Sequence, residues 1–285
     1  MQQNHRQSNI YSKQGYSLIE LMVAMLIGLF LIAAMLTIYL GSKKSYAAQQ
    51  EFLTLEDTGR NALYELTRII QHAGYRTANL YPIGSYFITT QPTAASCSGS
   101  GVNSTSSNIA SVSAITTVSD GAGADTIGVV YIGDSQLNED CSGATLPADC
   151  QIGAAISSDS ARIYSSFDIT TDANGVPALT CHGSLQAGAL TLVKGVEKMQ
   201  FLYGVDEDMD GQVDNYMNAT MVSSESAWNH VINVQVAILV RTLKEVRETP
   251  VAQSYVLLDK KIDISADRYH REVFTSLIRL PNTKS

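Results

Sequence analysis

Two hydrophobic rhythms follow one another at the start of the chain. Leu21 to Leu40 is an uncharged run in which only Thr37 is clearly polar. At about 1.5 Å rise per residue such a run makes a helix of roughly 30 Å, the thickness of a bilayer core. After Lys43 and Lys44 the rhythm becomes amphipathic. Phe52, Leu55, Gly59, Ala62, Leu66, Ile69 and Ala73 recur at spacings of three and four, while Glu51, Asp57, Arg60 and Gln71 fall off that stripe. Gly74 is a helix stop. The pattern predicts one helix from about Ser17 to Ala73, apolar all round in its first half and packed against a domain in its second. Gly28 and Gly59 would permit bending or close packing.

From Ala94 to Gly123 the chain is rich in Ser, Thr, Ala and Gly and reads as a long loop with at most one weak strand. Strand-like runs follow at Thr126–Ile132, Arg162–Phe167, Leu190–Val193 and Val196–Tyr203. The clearest alternation comes late: Ile232, Val234, Val236, Ile238 and Val240 face one way, and Asn233, Gln235 and Arg241 the other. Tyr255–Leu258 and Val273–Leu280 supply further strands. A long helix followed by antiparallel strands is an α+β arrangement.

Composition narrows the function. The 285 residues suffice for a real core, and 45% hydrophobic with 16% charged is a globular balance tilted by the apolar run. A formal charge of −8 with no long basic stretch argues against a nucleic-acid surface. The four cysteines, Cys97, Cys141, Cys150 and Cys181, form no CxxC pair, and only His182 adjoins one of them. In an exported domain an even count reads as two disulfides with three connectivities open. The short loop between Cys141 and Cys150, with Gly143 and Pro147, favours pairing those two and leaving Cys97 with Cys181.

The N-terminus is specific. A polar leader, Met1 to Gly15, holds Arg6 and Lys13 and no acid. A secretory signal would have a shorter apolar region and a small-residue cleavage site after it. Here Lys43-Lys44 follows instead, and Glu20 abuts the span. A carboxylate there is costly unless paired, which marks it as functional.

Lys13-Gln14-Gly15-Tyr16-Ser17-Leu18-Ile19-Glu20-Leu21-Met22-Val23 resembles the type IV prepilin signal. The resemblance implies a dedicated peptidase that cuts after Gly15 and methylates the new N-terminus at Tyr16, where the family usually has phenylalanine. It further implies that Glu20 of one subunit neutralises the terminal ammonium of another in a packed bundle of helices, since either charge buried alone is expensive. Further patches are similar to the PilW family of minor pilins. These are Gly59-Arg60-Asn61-Ala62-Leu63 through Ala73-Gly74-Tyr75, Gly195-Val196-Glu197-Lys198-Met199-Gln200-Phe201 with Tyr203-Gly204-Val205-Asp206, and Arg271-Glu272-Val273-Phe274 through Arg279-Leu280-Pro281-Asn282. The stretch from Pro82 to about Leu190 matches weakly.

The fold so implied is pilin-like: a leader at 1–15, a transmembrane and assembly helix at 16–41, its amphipathic continuation at 42–75, and a β-rich domain at 76–285. The implied function is a low-abundance subunit that primes a type IV pilus and sits near its tip. Before assembly it is held in the inner membrane with its domain periplasmic. Its partners would be prepilin peptidase, other minor pilins, the major pilin and a pilus-tip adhesin. A minor pseudopilin of a type II secretion system shares the signal and fold, and a tip adhesin displaying the Ser/Thr-rich segment is the alternative of another class.

One motif lies outside that frame. Asp206-Glu207-Asp208-Met209-Asp210-Gly211-Gln212-Val213-Asp214 carries side-chain oxygens at positions one, three, five and nine of a calcium-type loop, with glycine at six and an aliphatic residue at eight. The backbone carbonyl of Gln212 would supply position seven. Position twelve is Met217 rather than Glu, and the preceding stretch reads as a strand, so this is no EF-hand pair. Crowded carboxylates favour a hard cation such as Ca2+. No GxSxG, HExxH or P-loop occurs, and His72 and His230 read as structural or surface residues, so no enzyme is expected.

Overall fold

The computed structural model describes residues 15, 17–76, 85–97, 107–110, 115–121, 123–152 and 159–283. The leader up to Gln14, Tyr16 and much of the Ser/Thr-rich stretch lie outside the described residues. Two compact units divide after Gln50. Helix α1, Leu18–Ile70, contributes to both.

Within the first unit, α1 opens on the carbonyl of Ser17, which accepts the N–H groups of Glu20 at 3.0 Å and Leu21 at 3.2 Å. Its large apolar side chains from Leu18 to Leu40 are all exposed. A helix apolar on every side and unburied is long and greasy enough to cross a membrane.

In the second unit the same helix turns amphipathic. Leu55, Gly59, Ala62, Leu66, Ile69 and Ile70 are buried. Phe52, predicted on that stripe, is 40% exposed, its ring meeting His270 edge-on at 4.8 Å. The helix ends at Ile70, three residues short of the predicted Ala73, because Gln71–Gly74 tightens into a turn in which the Gly74 N–H bonds to Val130 on the sheet.

Ten strands follow. β1 (Ile127–Ile132), β2 (Arg162–Thr171), β3 (Pro177–Gly183) and β4 (Leu190–Lys194) form one antiparallel sheet in chain order. A second sheet has the order β10-β7-β5-β6, built from β5 (Val196–Val205), β6 (Asn215–Met217), β7 (Val231–Arg241) and β10 (Arg271–Arg279). The ribbon β8 (Val251–Leu257) and β9 (Lys260–Asp267) stands apart from both. A short helix α2, Ala219–Ser224, is capped by Asn218, whose side chain accepts from the Met221 N–H at 3.0 Å.

Gly195 alone carries the chain from the first sheet into the second. Its φ is +95°, which glycine adopts without the Cβ penalty. Its N–H bonds to Pro177 on β3, and its carbonyl accepts from Arg241 on β7. The main core fills the space between α1 and the two sheets. It is centred on Leu66, Ile69, Phe201, Val236 and Ile238, with Phe87, Tyr203 and Trp228 meeting at centroid distances of 4.9–5.3 Å.

Strand β7 corrects the alternation read from sequence. Its second face is not simply polar: Ala237 and Leu239 are fully buried beneath the β8–β9 ribbon, with Leu257, Ile262, Ile264 and Val273. The ribbon is tied down at both ends. At its tip, Lys260 pairs with Asp120 and donates to the Gly121 carbonyl at 2.8 Å. At its base, Arg271, 1% exposed in its side chain, donates to Asp267 at 2.8 Å and to Glu197 at 3.3 Å.

The disulfides are Cys97–Cys150 and Cys141–Cys181, which overturns the expected pairing. Cys141 does not fold back on its neighbour. Its N–H bonds to the Ser165 hydroxyl on β2, placing it beside β3 and Cys181. Cys97 is held next to Ser160, whose hydroxyl donates to the Ser96 carbonyl, while Asn108 ties the same segment to Asp159 and Arg162. One bridge therefore ties the Cys141 segment to β3, and the other joins two irregular segments, neither closing a short local loop.

Candidate assembly and cation sites

The N-terminal site is reached through its surroundings. Gly15 is exposed, with open space where a Cβ would stand. Tyr16 lies outside the described residues. Glu20 is exposed in the first turn of α1, where a carboxylate complements the positive end of the helix dipole. No ion pair to Glu20 forms within 4 Å among the described residues.

The acidic motif is the connection between β5 and β6, closed by the Val205–Asn215 pair. Asp206, Asp208 and Asp210 bring one carboxylate oxygen each to within 4.8 Å of one another. The loop's own backbone organises them. Asp206 accepts from the N–H groups of Asp210 at 3.1 Å and Gly211 at 2.8 Å, and Asp210 accepts from that of Gln212 at 2.7 Å. Gly211 adopts φ +87° with nothing near its open side, as the turn requires.

One carboxylate expected to join stands apart from the others. The Asp214 carboxylate turns to the N–H of Glu207 at 2.8 Å and stands outside the triad. The Gln212 side chain donates to Asp210 at 2.9 Å. Met217, at the twelfth position, is 5% exposed and pairs with Tyr203 in the sheet, so no bidentate carboxylate can come from there. The carboxylates that converge are thus three, hard oxygen ligands of the kind calcium accepts, on a hairpin rather than between two helices.

Sequence reasoning missed a second polar centre. Asp125, 3% exposed, accepts from the N–H groups of Gly121 at 3.0 Å and Phe201 at 2.8 Å, with the Lys260 ammonium 3.5 Å away. Burial pushes its carboxyl up to about 6, against the opposing pull of those hydrogen bonds and of Lys260. Nothing in the local sequence flags it, because its partners come from β5 and from the tip of the β8–β9 ribbon. The ribbon itself had a signal: Ile262 and Ile264 alternate with Lys261 and Asp263.

Comparison with known proteins bears on the start of the chain and on its second half. Residues 11–36 match the prokaryotic N-terminal methylation motif, and residues 166–282 match the family model described as Type IV Pilus-assembly protein W. The chain thus joins a prepilin-type methylation motif at its start to a region similar to Type IV Pilus-assembly protein W. The PilW match spans β2 to the end of β10, taking in the Gly195 junction, the acidic loop and the Arg271 knot. The Gly59–Tyr75 patch lies outside it. The solved structure of a type IV-like pilin, TTHA1219 from Thermus thermophilus, is 13% identical, with a TM-score of 0.42 over 81% of this chain and all of that one. No curated protein matches this chain.

Proposed function

We propose that this chain is a PilW-type minor pilin: a structural and priming subunit that enters a type IV pilus near its tip and performs no catalysis of its own. The observation that carries the reading is the conjunction, at one end of the chain, of a methylation motif and a helix whose large apolar side chains from Leu18 to Leu40 are all exposed. Such a surface needs lipid or other helices around it. In the membrane, lipid supplies that cover and the β-rich domain stands on the periplasmic side. In the filament, neighbouring pilin helices replace the lipid.

Cleavage between Gly15 and Tyr16 creates an ammonium at the edge of the span, and Glu20 of a neighbouring subunit neutralises it. A buried charge is tolerated only with its partner, so the pair sets the register of insertion. The acidic loop is a secondary site. Asp206, Asp208 and Asp210 would hold a calcium ion there weakly, at roughly 10⁻⁴ to 10⁻³ M as extracellular modules do.

The deciding experiment is mass spectrometry of the mature N-terminus, which should read methyl-tyrosine at Tyr16. A chain still beginning at Met1 would overturn the reading. Glu20→Ala should still be cut but should enter filaments poorly; unchanged pilus number in a strain carrying only that variant would remove the pairing role.

A further inference from the structure

A groove of about 510 Å³ runs along β9, and the seven consecutive residues Lys261–Asp267 form one of its walls. The other wall is Gly123, the start of β5 at Glu197 and Lys198, and the strand ends at Arg241 and Arg271. Among the described residues β9 has one ladder partner, β8, and no backbone hydrogen bond to anything else. In an antiparallel pair the edge strand turns the N–H and C=O of alternate residues away from its partner. Those groups here border the groove. Ile262 and Ile264 point down into the small core under the ribbon, so the open edge is held rigid from below.

The charges of the groove are unevenly committed. Each of its acids is paired: Glu197 and Asp267 with Arg271, and Asp263 with Lys261 at 3.1 Å. Two of its cations are not. Lys198 forms no ion pair among the described residues. Arg241 donates to the Gly175 carbonyl, stacks over the Tyr269 ring at 4.3 Å and leaves its Nε buried with no hydrogen-bond partner. In a chain of net charge −8 this is a local surplus of positive charge beside an unpaired strand edge.

We propose that this groove takes up an extended, acidic segment of another protein chain, which adds to β9 as a third strand and sets a carboxylate against Lys198 and Arg241. Backbone pairing would supply affinity and the charge contact would fix the register. Residues 1–14, 77–84, 98–106, 111–114 and 153–158 contain no Asp or Glu, so none of them brings a carboxylate to Lys198 and Arg241.

The test uses full-length protein in neutral detergent micelles and three fluorescent seven-residue peptides, read by anisotropy. The first alternates valine with glutamate and aspartate. The second replaces both acids with lysine, and the third places proline at the central valine so that it cannot complete a ladder. The acidic peptide should bind saturably, the other two at least tenfold more weakly. Lys198→Glu should weaken the acidic peptide at least tenfold, and Lys198→Gln, the milder change, should weaken it measurably at low salt. Hydrogen exchange should slow at amides of 260–267 when that peptide is present. Absence of saturable binding, equal binding of all three peptides, unchanged affinity in both Lys198 variants, or protection confined to other strands would each overturn the proposal.

Discussion

The ring of Phe274 lies against Gly59 so closely that a Cβ there would stand 2.5–2.6 Å from three ring atoms. The contact joins the middle of α1 to the edge strand β10, and it explains a glycine in a helix interior, which otherwise costs about 1 kcal/mol relative to alanine. Gly59→Leu should destabilise the chain by about 1–3 kcal/mol through overpacking. Phe274→Leu in the same chain should recover part of that loss. Urea unfolding followed by the fluorescence of Trp228, buried between Phe87 and Tyr203, reads both. Strict additivity of the two changes would contradict the contact.

Peptide mapping without reduction should yield fragments joined through Cys97–Cys150 and Cys141–Cys181, and none joined through Cys141–Cys150. Removing Cys141 with Cys181, separated by 40 residues, should cost about 2–4 kcal/mol. The loss should fall on the first sheet, where Cys181 pairs with Phe167, rather than on the helix.

Millimolar calcium should raise the melting temperature of the full-length chain above its value in chelator. At 100 times the dissociation constant, mass action gives about 2.7 kcal/mol. Asp208→Ala with Asp210→Ala should abolish the shift. Gly211→Val should do so as well, because a β-branched residue resists φ near +87°. Asp214→Ala should have the smaller effect, since its carboxylate already serves Glu207. Identical melting with and without calcium would reduce the loop to a self-bonded acidic turn.

Asp125 gives stability a pH dependence. Its carboxyl is raised to about 6 in the folded chain against an ordinary value near 4. The folded state therefore holds the proton more tightly than the unfolded state. That contribution is fully present below pH 4 and is lost as pH rises through about 6. Asp125→Asn should flatten stability over that window in a pH series of urea midpoints. Lys260→Met should move the midpoint of the dependence upward, because the ammonium pulls the carboxyl down. An unchanged pH profile in both variants would assign the dependence elsewhere.

By itself, the order of side chains along the chain determined the membrane-length helix, the prepilin motif, the buried stripe from Leu55 to Ile69 and the inward face of β7. Each of these is a local periodicity written into consecutive residues. It also put Asp206, Asp208 and Asp210 on one turn, since glycine at 211 and the loop's own N–H groups are enough to gather them. It could not reveal β3, which is buried on both faces and shows no alternation, and for β9 it offered only the short alternation of Ile262 and Ile264 with Lys261 and Asp263. The disulfide partners were decided only when Ser165 on β2 held Cys141, and Ser160 in the turn before β2 held the segment of Cys97. Asp125 and Lys260 met each other, and Arg271 met Glu197, only through packing across long separations. Chain connectivity says nothing about which distant segments will share a low-dielectric space. Packing decides that, and with it which charges are paired and which, like Lys198 among the described residues, are not.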